Sequence, residues 1–137
     1  MKISTSEEKS KTGKSNIIMV DDEPDAAITI KIALEENGDF EVDTFSDAES
    51  ALFAFRHGHY DLAILDVRMP GTNSFQLCRK LREIDKELKI CFLTASDLTY
   101  LQDTDSDIIN DLTDCFVYEP VDTTGLINRL KVILSSD

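Results

Sequence analysis

The chain has 137 residues, 42% of them apolar, and carries a formal net charge of −13 at pH 7. This length and composition predict one folded domain with a substantial core, and no apolar run reaches the ~20 residues that cross a bilayer. We therefore expect a cytoplasmic protein, and the negative charge argues against direct binding to nucleic acid or to an anionic membrane.

The first 15 residues are polar and differ from the rest of the chain in charge. Four lysines and two glutamates give this segment +2, so the remaining residues carry −15. With almost nothing to bury, residues 1–15 are expected to be a disordered tail, and residues 16–137 the folded domain. The acidic body favours a bound cation and a partner protein with a basic docking surface.

From Asn16 onward, short apolar runs alternate with amphipathic segments, which is typical of βαβ units in a parallel sheet. The predicted strands cover residues 17–20, 40–45, 61–65, 89–93 and 115–118. The first predicted helix covers residues 25–36, with Pro24 before its first turn and Gly38 after its end. The second helix is expected to begin at Ser46, in a capping box with Glu49, and to end near residue 57.

Three further helices complete the predicted pattern. One begins near residue 73 or 74, and the last begins near residue 123 or 124. Between them, an apolar stripe over residues 98–112 predicts a fourth helix, which the poor helix formers at 103–107 make short or mobile. Cys78, Cys91 and Cys115 lie in apolar segments without metal-ligand spacing, so we expect three buried reduced thiols.

Five βα pairs with right-handed crossovers predict a three-layer α/β fold of the flavodoxin-like type, with strand order 2-1-3-4-5. In that order the first and third strands are neighbours about 4.8 Å apart. Asp21 and Asp22 follow the first strand and Asp66 follows the third, so their carboxylates can share one cation. Oxygen-only ligands at a partly open site suit Mg²⁺. Alternatively, Asp21 caps the first helix and Asp66 accepts hydrogen bonds from loop amides.

Four short motifs now support a family resemblance. They are VDDEP at 20–24, DVRMPG at 66–71, the Thr94 and Ala95 pair after ICFL, and EP at 119–120 after CFVY. Together they resemble a two-component response-regulator receiver domain over residues 16–134. Since about three residues follow Leu134, we expect a receiver without an output domain. A partial P-loop match at 8–15 is weaker, because Glu8 occupies the first glycine position and the segment precedes a strand.

The resemblance implies a role for each matched position. Asp66 corresponds to the phosphoacceptor, which a histidine kinase or phosphotransfer protein would phosphorylate. Asp22, Asp66 and the backbone carbonyl of Arg68 would bind Mg²⁺ directly, and Asp21 would act through a water. Thr94 corresponds to the switch hydroxyl and Phe116 to the switch aromatic. Such a protein is a signalling module and not a classical enzyme, with only Mg²⁺-dependent self-phosphorylation and dephosphorylation.

Glu119 departs from the family pattern, which has a lysine before this proline. A unit charge pair at about 4 Å is worth about 4 kcal/mol at an effective dielectric of about 20, so the change replaces attraction to phosphate with repulsion. Asn73 and Ser74 also stand where the family often has Asp and Gly. Three functions stay open: a phosphorylatable receiver, a phosphorylation-independent interaction module, and a metal-dependent phosphatase, which is least favoured because no general acid is evident.

Overall fold

The computed structural model describes residues 13–67, 69, 74–94, 114–118 and 121–135. Several sequence-based predictions lie outside the described residues. They concern the tail up to residue 12, Arg68, Asn73, Ala95, the acid-rich segment at 98–112, and Glu119.

A parallel sheet of five strands forms the middle of the molecule. The strands are β1 (Ser15–Val20), β2 (Phe40–Phe45), β3 (Leu62–Asp66), β4 (Lys89–Thr94) and β5 (Cys115–Tyr118). They are ordered β2-β1-β3-β4-β5, which confirms the predicted topology. β3 and β4 each extend one residue beyond the predicted end, so Asp66 and Thr94 are the last residues of their strands.

Four helices connect the described strands or follow them. They are α1 (Pro24–Asn37), α2 (Ala48–Ala54), α3 (Ser74–Ile84) and α4 (Thr123–Ser135). Pro24 occupies the first turn of α1, where its missing N–H costs no hydrogen bond. Gly38 ends that helix with φ of 91°, a left-handed conformation that a residue without Cβ adopts easily.

The predicted start and end of α2 are wrong. Asp47, and not Ser46, is the N-cap: its side chain accepts a hydrogen bond from the Ser50 N–H at 2.7 Å. Aspartate caps a helix at least as well as serine, so the neighbouring residue takes the position. α2 also ends at Ala54, because Phe55 turns into an extended conformation and buries its ring against Tyr60.

Two hydrophobic layers cover the sheet, one on each face. Alternate strand residues such as Ile18, Leu65 and Phe92 pack beneath α2 and α3. Their neighbours, such as Ile17 and Ile64, pack beneath α1 and α4 on the other face. Since the central strands are buried on both faces, they read in the sequence as continuous apolar runs.

The cysteines differ from the expectation in one respect. Cys78 is free and buried, and burial raises the pKa of its thiol to about 11. Cys91 is disulfide-bonded, so the prediction of three reduced thiols is wrong there. β4 and β5 place Cys91 opposite Cys115 in the strand register, a proximity that sequence spacing does not show. Within the described ranges, no helix is long and apolar enough to cross a membrane.

Candidate metal centre

The pairing of β1 with β3 brings three aspartates together at the carboxyl ends of these two strands. Val20 lies opposite Leu65 in this parallel pair, so the residues that follow, Asp21 and Asp66, emerge side by side. The Asp21 N–H still donates to the Phe45 carbonyl of β2 at 3.0 Å. The backbone therefore holds Asp21 firmly at the strand end.

The three carboxylates form a compact cluster. One carboxylate oxygen from each of Asp21, Asp22 and Asp66 lies within 4.8 Å of the other two. Asp21 is only 2% exposed and Asp66 only 7%, while Asp22 is more exposed. Buried carboxylates this close repel one another unless a cation or a proton neutralises them. The cluster is therefore suited to a cation that enters from the side of Asp22.

Asp21 has one satisfied oxygen and one that lacks a partner. Its Oδ1 accepts the Glu23 N–H at 2.9 Å, whereas its buried Oδ2 has no hydrogen-bond partner among the residues described. Glu23 is the N-cap residue of α1 and makes no side-chain capping bond. The alternative in which Asp21 only caps this helix thus accounts for Oδ1 and leaves Oδ2 unexplained. An unpaired carboxylate oxygen in an oxygen-only cluster fits Mg²⁺.

The proposed switch residues lie on β4 and β5, the two strands that follow β3 in the sheet. Thr94 is fully buried, and it follows Leu93, the register partner of Asp66. Phe116 lies opposite Phe92 on β5 and is partly buried. Arg68 and Glu119 are outside the described residues, so the carbonyl ligand and the reversed charge stay predictions.

Four aromatic rings form a row from α3 to β5, the outermost strand on that side of the sheet. The ring centroids are 5.0 Å apart for Phe75 and Phe92, 5.7 Å for Phe92 and Phe116, and 6.4 Å for Phe116 and Tyr118. The row ends at Tyr118, which is 48% exposed. Sequence reasoning identified Phe116 and missed the row, because its members come from three separate elements.

Ser74 is a second feature that sequence reasoning missed. Its hydroxyl donates a hydrogen bond to the backbone carbonyl of Asp66. Sequence reasoning named Ser74 as a possible helix start and as a departure from a common glycine, and neither observation predicts a hydrogen bond to a residue eight positions earlier. The phosphoacceptor candidate is thus bonded to the start of α3.

A doubly wound sheet of this order, with an acidic cluster where the strand order reverses, defines a receiver-type α/β protein. The comparison with known families agrees: the model for the response regulator receiver domain matches residues 17–130, and the chain belongs to this family. Its members act in two-component signalling, where aspartate phosphorylation is general and Mg²⁺ binds an acidic pocket. They interact with histidine kinases and downstream effectors.

Two curated relatives illustrate the range of proteins that carry such a domain. The transcriptional regulatory protein PcoR of Escherichia coli is 32% identical over 121 residues, covering 86% of this chain and 50% of that protein. The sensor protein EvgS of Escherichia coli O157:H7 is 41% identical over 83 residues, covering 61% of this chain and 7% of that protein. The chain thus spans half or less of these two relatives.

A solved structure gives the same assignment. The non-phosphorylated HemR receiver domain from Leptospira biflexa is similar, with a TM-score of 0.78 and 26% sequence identity. The match covers 90% of this chain and 97% of that one. Family and fold therefore agree across almost the whole length of the chain.

Proposed function

We propose that this chain is a receiver that accepts a phosphoryl group on Asp66, with Mg²⁺, from a histidine kinase or phosphotransfer protein in the cytoplasm. The observation that carries the proposal is the cluster of three carboxylates within 4.8 Å, in which a buried Asp21 oxygen has no partner within the described part of the chain. Family membership supports the same chemistry.

Each carboxylate has a distinct part in the proposed reaction. Asp22 and Asp66, with the Arg68 carbonyl, would hold the ion directly, and Asp21 would hold it through a water. Bound Mg²⁺ supplies the positive charge that screens the carboxylate from the phosphoryl oxygens. An Asp66 carboxylate oxygen attacks phosphorus as the bond to the donor histidine nitrogen breaks, and water later hydrolyses the acyl phosphate.

In the proposed function, phosphorylation of Asp66 changes the position of Thr94, and this change reaches the surface of β5. A phosphoryl group on Asp66 would attract the Thr94 hydroxyl, and movement of that side chain would give Phe116 room to rotate. Phe116 already contacts Phe92 and the exposed Tyr118, so a rotation there changes the surface of β5. The partner that reads this surface would carry basic residues, because the body is strongly acidic.

A second function rests on Glu119. An anion in the position where the family has lysine would oppose the phosphoryl group, and the chain would then serve as an interaction module that needs no phosphate. The two functions differ in whether Asp66 takes up a phosphoryl group, so phosphoryl chemistry itself must separate them.

A stable phosphoryl mimic tests the proposed function. Wild type incubated with Mg²⁺ and beryllium fluoride should give a bound ¹⁹F resonance, and Asp66→Asn should give none. Asp61→Asn is the matched control. Asp61 lies just before the first residue of β3, at the end of the strand away from Asp66, and its carboxylate accepts a hydrogen bond from the Asn16 N–H. This control should bind like wild type. If wild type fails to bind the mimic, the interaction module becomes the better assignment.

A further inference from the structure

We infer that Ser74 is a positioning residue for Asp66, whose hydroxyl fixes the backbone of the phosphoacceptor in this chain. The inference rests on the proposed function, because it matters only if Asp66 takes up a phosphoryl group. It starts from the hydrogen bond that the Ser74 hydroxyl donates to the Asp66 carbonyl oxygen.

The peptide unit after Asp66 is held from both sides. Its carbonyl, from Asp66, accepts the Ser74 hydroxyl, and its N–H, from Val67, donates to the Leu93 carbonyl of β4 at 2.9 Å. The C=O and N–H of a trans peptide point in opposite directions from one rigid plane. Two bonds on opposite edges therefore fix the rotation of that plane, and with it ψ of Asp66.

Ser74 itself has little freedom to move. It is 1% exposed and is the first residue of α3. The next residue, Phe75, is 5% exposed and packs its ring against Phe92 of β4. The hydroxyl donor is therefore held by the core, so the Asp66 carbonyl is bonded to a rigid part of the molecule.

The bond also joins the two ends of the chain segment that carries a predicted metal ligand. Residues 67–73 connect Asp66 to Ser74, and they include Arg68, whose carbonyl is the proposed third ligand. Glycine, common in the family at this position, has no hydroxyl and cannot make the bond. Ser74 thus gives this chain a constraint at the phosphoacceptor that a glycine would not provide.

Removal of the Ser74 hydroxyl should slow phosphorylation of Asp66, whereas a loss of stability elsewhere in the fold should not. We expect Ser74→Ala and Ser74→Gly to lower the rate of labelling by acetyl phosphate at saturating Mg²⁺ about threefold to tenfold, the range that one hydrogen bond can supply. Ser74→Thr, which keeps the hydroxyl, should recover most of the rate. Amide exchange at Val67 should quicken in the alanine and glycine variants, even without phosphate or metal.

Ile30→Val is the control for loss of stability alone, because Ile30 is buried on α1 against the other face of the sheet. It should label like wild type. If wild type labels and Ser74→Ala labels equally fast, the inference on Ser74 is overturned while the proposed function stands. The same holds if Ile30→Val slows labelling as much as Ser74→Ala. If wild type does not label at all, the proposed function fails, and the role of Ser74 fails with it.

Discussion

Asp66→Asn should stabilise the metal-free protein and abolish its response to Mg²⁺. The carboxylate oxygens of Asp66 and Asp21 are within 4.8 Å, and both residues are buried. Two unit charges at that distance repel by about 3 kcal/mol at an effective dielectric of about 20. Water on the open side of the cluster reduces this figure, so we expect a net gain of about 1 kcal/mol on removal of one charge.

Thermal unfolding at several Mg²⁺ concentrations measures both effects. A gain of about 1 kcal/mol raises the melting temperature of a chain this size by roughly 3–5 °C. Wild type should in turn gain about 1.4 kcal/mol when Mg²⁺ is about ten times its dissociation constant. The metal-free variant should therefore melt above wild type, and added Mg²⁺ should remove the difference.

The control for this experiment is Asp61→Asn, which removes the same charge beside the other end of β3 and should keep the full Mg²⁺ response. An equal rise with Mg²⁺ in wild type and Asp66→Asn would refute the proposed metal site. A metal-free Asp66→Asn that melts below wild type would refute the repulsion between the carboxylates.

Three other predictions follow from charges elsewhere in the chain. Glu119→Lys replaces repulsion of the phosphoryl group with attraction, and a screened gain of about 1.4 kcal/mol should speed phosphorylation of Asp66 about tenfold. An intact-mass time course measures the rate. Equal rates for wild type and Glu119→Lys would mean that Glu119 points away from Asp66. The Val42 N–H, and then Lys31, lower the pKa of Glu35 below its usual 4.5, so this carboxylate stabilises the fold above that pH and loses its contribution as the pH falls. In urea unfolding, Glu35→Gln should be the less stable protein at pH 7, and the difference should shrink as the pH is lowered below 4.5; a difference that does not depend on pH would contradict this. Affinity for the output partner should fall as salt rises, and calorimetric titrations with no salt dependence would reject a basic docking surface.

The fold could be predicted because its signals are local and repeated. Strands buried on both faces must be apolar throughout, and β1 and β3 are visible as IIMV and LAIL. Right-handed crossovers then left few strand orders. The acidic cluster followed from that order, since Asp21 and Asp66 each lie at the carboxyl end of one of two neighbouring strands.

The features that escaped prediction depend on contacts between distant residues or on small energy differences. Ser46 and Asp47 are both good helix caps, and the sequence pattern does not decide between them. Cys91 lies beside β5 through strand pairing, which sequence spacing does not reveal. The bond from Ser74 to Asp66 depends on where α3 begins, and helix ends are the least predictable part of a sequence pattern.

The most direct test of the account is whether Asp66 takes up a phosphoryl group. Wild type incubated with acetyl phosphate and Mg²⁺ should gain the mass of one phosphoryl group per chain, located by peptide mapping to the segment that contains Asp66. Asp66→Asn, and wild type with the metal chelated, should gain none. Wild type that stays unlabelled with Mg²⁺, or a label that persists in Asp66→Asn, would contradict the assignment of Asp66 as the phosphoacceptor.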